Sequence, residues 1–81
     1  MSDALALAIA RAIRAERHRL GLSQAELAER LEVSRSTVTH LENMTRRVYA
    51  DELGDICAAL GLSLDEFLVR APVEERRKLG L

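Results

Sequence analysis

Arg35, Ser36, Thr39, His40 and Asn43 are residues whose types and spacing could do chemistry together. Placed at 100° per residue on a helix starting from Arg35, Thr39 falls near 40°, Asn43 near 80°, Ser36 near 100° and His40 near 140°. Thr37, Leu41 and Val38 fall between about 200° and 300°. One face is apolar and the other carries hydrogen-bond donors and acceptors. A short helix of this kind suits the major groove of duplex DNA. There Arg35 can bond bidentately to guanine O6 and N7, for roughly 1–3 kcal/mol of discrimination, and Ser36 and Thr39 can donate or accept. A threonine methyl can meet the thymine methyl, and His40 can donate to guanine N7 or to phosphate. A solvated helix face would look similar, so the surrounding chain must decide.

The elements that hold this helix are legible on either side of it. Ser23 and Glu26 form a capping box, S-x-x-E, which starts a helix whose Leu27, Ala28 and Leu31 face inward. Glu32-Val33-Ser34 then makes a short turn, and Ser34 caps the next helix, which runs to about Asn43. Two helices joined so closely, with Ala28 permitting close approach, form a helix-turn-helix over residues 23–43.

Ahead of this pair, a first helix capped by Ser2 or Asp3 is expected to run to about Leu20, with Gly21 in the left-handed position beyond its end. Leu5, Ile9, Ile13 and Leu20 line one side, with Ala6, Ala10 and Ala12 between them. Arg11, Arg14, Arg17, His18 and Arg19 fall on the opposite side, facing either solvent or a phosphate backbone. Behind the pair, Leu53, Ile56, Cys57 and Leu60 follow helical spacing from about Ala50 to Leu60, and the helix stops at Gly61. A second capping box, Ser63 with Glu66, starts a fifth helix carrying Leu64, Phe67 and Leu68. The tail RAPVEERRKLGL has room for a short extra C-terminal helix and is either dimer-forming or frayed.

Composition agrees with an all-α fold in one domain over residues 1–81. Apolar residues make up 48% and charged residues 31%, and the only aromatics are Tyr49 and Phe67. At this size a core supplies about 3–5 kcal/mol, so association with a second copy would help. The net charge of −1 hides a polarity along the chain: residues 11–47 carry +3 and residues 48–81 carry −3. A protein with one face toward a polyanion would be charged in this way. MSDALALAIA has an acidic rather than a basic start, and no run is apolar enough to cross a membrane, so a cytoplasmic location is expected. Cys57 is alone, which excludes an internal disulfide and suits a small buried helix residue. His18 and His40 lie far apart without carboxylate or cysteine at ligand spacing, so no metal and no other cofactor is expected. The chain has no glycine loop for phosphates and no nucleophile beside a base, so it is not expected to be an enzyme.

The run from about Ile9 to Phe67 resembles the phage repressor and Cro-type, or Xre-like, helix-turn-helix family. The resemblance rests on Ile13-Arg14, Gly21-Leu22-Ser23-Gln24, Glu26-Leu27-Ala28, Val33-Ser34, Val38, Leu41-Glu42-Asn43 and Leu60-Gly61-Leu62-Ser63. It implies a compact five-helix repressor-like domain that binds double-stranded DNA, commonly as a homodimer on an operator. It also implies base contacts from Arg35, Ser36, Thr39 and His40, and phosphate contacts from Gln24, Asn43, Arg46 and Arg47. Gln24 fits that role physically, because a helix N-terminus already favours an anion. The chain departs from the pattern at Glu32 and Met44, where the family usually has glycine, and its TRRVYADEL loop lacks the usual proline.

The expectation is therefore a sequence-specific transcriptional regulator acting on a pseudo-palindromic operator, with no small-molecule ligand. A phage Cro or repressor, or the controller protein of a restriction-modification operon, is of this kind. The competing reading is a protein-interaction module, such as an antitoxin, whose main partner is a protein.

Overall fold

Ser23 and Glu26 do what their spacing predicts. The Glu26 amide donates to Ser23 Oγ at 3.0 Å and the Ser23 amide donates to Glu26 Oε1 at 2.8 Å. These bonds hold the start of α2 in a computed structural model that describes residues 2–46 and 48–70. Among these residues five helices run in the order α1 Ser2–Arg19, α2 Gln24–Leu31, α3 Arg35–Asn43, α4 Ala50–Ala59 and α5 Leu64–Arg70. The described residues contain no strand. The second capping box is also present, with Ser63 and Glu66 exchanging bonds of 3.0 and 3.1 Å. Most of the tail, and Arg47, lie outside the described residues.

Three helices end in the same closure. Beyond α1, α2 and α4 the chain turns left-handed for one residue, and two backbone N–H groups bond back to the carbonyls left free by the last turn. The residues in that position are Gly21 (φ 70°), Glu32 (φ 57°) and Gly61 (φ 72°). Glu32 therefore keeps the backbone of a glycine without being one, and so does Met44 (φ 66°) after α3. A side chain in this region costs roughly 1–2 kcal/mol. Glu32→Gly removes that strain but frees the unfolded chain, an opposing effect of about 0.5–1 kcal/mol. The expected net gain is about 0.5–1 kcal/mol, or several degrees in melting temperature for a domain of this size. Thermal unfolding measures it, and a variant that melts at or below the parent would show that the strain is compensated locally.

The core is a single cluster of Ala12, Ile13, Leu27, Ala28, Val38, Leu41, Ile56, Cys57, Leu60, Leu62 and Phe67. It draws on all five helices and the α4–α5 connection. α3 rests on both α2 and α1, α2 rests on α4, and α4 rests on α5. Arg30 of α2 extends the α2–α4 contact by donating to the Ala59 carbonyl at 2.9 Å, where a cation meets the negative end of α4. Burial pushes the Cys57 thiol above its ordinary value, so it behaves as an inert apolar residue.

Three expectations need correction. Arg17, assigned to the outer side of α1, is buried together with Glu16. Leu20 and Leu64, expected to pack inward, are 38% and 47% exposed; Leu20 lies just beyond the last residue of α1 and Leu64 is the first residue of α5. Ala8, unassigned by the spacing argument, is fully buried. No helix among the described residues is long and apolar enough to cross a membrane.

Candidate nucleic-acid interface

α3 begins at Ser34, which sits in extended backbone and accepts the Thr37 amide on its hydroxyl at 3.3 Å. Its oxygen also lies 3.0 Å from the hydroxyls of Ser36 and Thr37, so the first turn is closed by a small hydroxyl cluster. Val38 and Leu41 are buried and seat the helix, with Thr37 half-buried beside them. Arg35, Ser36, His40 and Asn43 are exposed, and Thr39 lies half-buried between them. The stripe drawn from sequence is thus assembled on one side of α3.

The position of α3 is fixed by a buried ion pair. Arg17 of α1 meets Glu42 of α3 through two bonds, Nε to Oε2 at 2.7 Å and Nη2 to Oε1 at 3.0 Å. Its remaining terminal nitrogen, Nη1, donates to the Leu22 carbonyl at 2.8 Å. Both side chains are nearly excluded from solvent, at 8% and 4% exposure. Donating to the Glu42 carboxylate holds the Arg17 guanidinium above its ordinary pKa against the opposing effect of burial. Two-pronged pairing sets angle as well as distance, so α1, the α1–α2 loop and α3 are locked together.

Gln24 continues this network outward. Its Nε2 donates to Glu42 Oε1 at 3.2 Å, and its Oε1 accepts the Thr39 hydroxyl at 2.8 Å. The Thr39 oxygen also lies 3.2 Å from the Arg35 carbonyl. A hydroxyl has a single proton, so Thr39 has none left for a base and offers its lone pairs and methyl group. Gln24 retains one amide hydrogen at the start of α2. Arg14, His18, Gln24, Thr39 and Asn43 line a cleft between α1, α2 and α3, with Arg17 and Glu42 also on its wall. Arg14 is exposed at its rim.

In the loop after α3, Arg46 already has a partner within the protein. Arg46 Nη2 bonds Glu52 Oε2 at 2.5 Å, and its guanidinium carbon lies 5.8 Å from the centre of the Tyr49 ring. Glu52 also accepts the Tyr49 amide at 3.0 Å, at the start of α4. The Arg46 bond, followed by the Tyr49 amide, holds the Glu52 carboxyl below its ordinary range. Arg46 is thus neutralised by an α4 carboxylate, and a phosphate must compete with Glu52 to use it. Asn43 and His40 are tied to Thr45, whose hydroxyl lies 2.8 Å from Asn43 Oδ1 and 2.6 Å from His40 Nδ1.

Arg17, Glu42 and Thr45 are working parts that helical spacing does not single out. For Arg17 a signal was present, since Ile9, Ile13 and Arg17 follow one another at intervals of four along the inner stripe. An arginine in such a stripe calls for a buried partner. Thr45 lies in a loop, where no periodicity reports on it.

A capped helix pair with a tight turn, and a second helix seated by apolar residues behind a polar outer face, define a helix-turn-helix protein. The model of the helix-turn-helix family matches residues 13–67, and the chain belongs to that family. Its family and fold are those of a DNA-binding transcriptional regulator. Two crystal structures of the clp gene regulator ClgR from Corynebacterium glutamicum are similar to it. One shares 34% identity over 83% of this chain and 87% of the other, with a TM-score of 0.76. The other shares 30% identity over 94% and 81%, with a TM-score of 0.78. No curated protein sequence matches significantly.

Proposed function

We propose that the protein controls transcription by binding a pseudo-palindromic operator as a homodimer, with α3 of each copy in the major groove. Arg35, Ser36, Thr39 and His40 read base edges in this arrangement. Gln24 and Asn43 hold phosphates on either side, while Arg47, and Arg46 once released from Glu52, supply positive charge. The observation that carries this reading is the contrast within α3. Its inner face is locked by Val38, Leu41 and the Arg17–Glu42 pair, while Arg35, Ser36 and His40 stand exposed on the outside. The likeness to a protein described as a gene regulator supports it further. Exposed Leu64 and Val69 on α5 offer apolar area that a second copy would cover.

In a symmetric dimer the two recognition helices lie about 34–36 Å apart and read half-sites roughly 10 base pairs apart, centre to centre. Selection of bound sequences from a random duplex pool is expected to return a two-fold symmetric consensus. Affinity for that consensus should fall steeply as salt rises, because phosphate contacts release counterions. A pool without enrichment, or an affinity indifferent to salt, would overturn the operator reading in favour of a protein partner.

A further inference from the structure

The hydrogen bonds after α3 dictate which nitrogen of His40 carries its proton. The Thr45 backbone N–H can only donate, and it lies 3.1 Å from the Asn43 side chain. The Asn43 atom facing it must therefore be Oδ1, since the amide nitrogen would set donor against donor. Oδ1 can only accept, so the Thr45 hydroxyl, 2.8 Å away, spends its single proton there. The Thr45 oxygen then faces His40 Nδ1 at 2.6 Å with only lone pairs, and Nδ1 must supply the hydrogen. A neutral His40 held in this way has its proton on Nδ1 and a bare lone pair on Nε2.

We propose that Thr45 is a positioning residue for base selection: by fixing the His40 tautomer, it makes neutral His40 an acceptor in the major groove. This inference rests on the reading of α3 as the recognition helix. An acceptor at Nε2 pairs with the exocyclic amino group of adenine N6 or cytosine N4 and is repelled by guanine N7 or O6 and by thymine O4. This reverses the donor role that residue type alone suggests for His40. Without its Thr45 partner the ring is free to protonate at Nε2, and the preference at that base pair turns toward acceptors. The threonine need not touch DNA to have this effect.

The first test needs no DNA. Nitrogen-15 NMR of His40 in the free protein, recorded across a pH series and read where the ring nitrogens report the neutral form, should show Nδ1 protonated. Thr45→Val keeps the shape but removes the lone pair, and should move the proton to Nε2 or to a mixture of both forms. Thr45→Ser should restore the parent tautomer. Asn43→Ala gives an independent check, because it releases the threonine hydroxyl to donate to Nδ1 and should shift the ring the same way. A parent protein with Nε2 protonated, or a Thr45→Val ring unchanged from the parent, overturns the proposal.

The second test repeats the selection from a random duplex pool with the parent, Thr45→Val and Thr45→Ser. The parent and Thr45→Ser should fix adenine or cytosine at one position of each half-site. Thr45→Val should lose that preference by about tenfold while keeping the rest of the consensus. Identical consensus sequences from all three overturn the role in base selection. If the parent selects nothing, the operator reading fails and base selection with it, while the NMR result still decides whether Thr45 sets the tautomer.

Discussion

Glu42→Ala is expected to cost about 3–5 kcal/mol, which is comparable to the whole stability of a domain of this size. The loss of an attractive contact is the smaller part of this. Removing Glu42 leaves the Arg17 guanidinium, with only 8% of its side chain exposed, charged and without its carboxylate. The Leu22 carbonyl still accepts one of its hydrogens, but Nε and Nη2 lose the oxygens that now lie 2.7 and 3.0 Å away. Gln24 Nε2 loses its acceptor as well. Urea denaturation followed by circular dichroism should find Glu42→Ala largely unfolded. The double variant Arg17→Met, Glu42→Leu should recover most of the loss, because an apolar pair of similar volume removes both charges from the interior. Additive losses in the cycle would mean that the two residues do not act as a pair. The recovered double variant is informative in its own right: with Gln24 tied to α3 through Thr39 alone, it should fold yet bind DNA more weakly than the parent.

The contrast between what could and could not be read in advance follows from sequence separation. Ser23 with Glu26 and Ser63 with Glu66 are bonded across three residues, so their geometry is implied by helix formation itself. Leu27 and Ala28, Val38 and Leu41, and Ile56 with Cys57 and Leu60 are buried as their periodicity requires. The helix pair and the residue types on the outer face of α3 were therefore legible. Arg17 and Glu42 are 25 positions apart, and only the crossing of α1 and α3 brings them together. A helical wheel assigns a direction to Leu20 and Leu64 but does not show how much of a side chain at a helix end is covered. It also cannot say that Arg46 turns to Glu52, since that depends on the path of the loop into α4. Glu32 and Met44 stood out as departures from a glycine pattern, and the backbone keeps the left-handed conformation at both. The family geometry thus outweighs local preference there, which places the strain at the two ends of the turn and loop that frame α3.

Arg35→Ala is expected to lower affinity for the selected operator by about 1–3 kcal/mol while changing affinity for random duplex much less. Arg35 is the first residue of α3, it is exposed, and its guanidinium has no partner among the described residues. Its five donors are therefore available without breaking an existing bond, unlike those of Arg17 or Arg46. Arg35→Lys separates charge from geometry. Lysine keeps the attraction to phosphate, so binding to random duplex should match the parent, but it lacks the rigid two-pronged fork that fits guanine O6 and N7. Discrimination should remain close to that of Arg35→Ala. Gln24→Ala supplies the opposite pattern. It removes an uncharged donor at the start of α2, so both DNAs should lose affinity to a similar degree with an unchanged salt slope. Thr39 adds a smaller specific loss, because its hydroxyl no longer has Gln24 Oε1 to hold it. Equal losses on operator and random duplex for Arg35→Ala would overturn base readout by this residue and assign it to the phosphate backbone. Full discrimination by Arg35→Lys would mean that a single point charge, rather than the paired donors of guanidinium, selects the base.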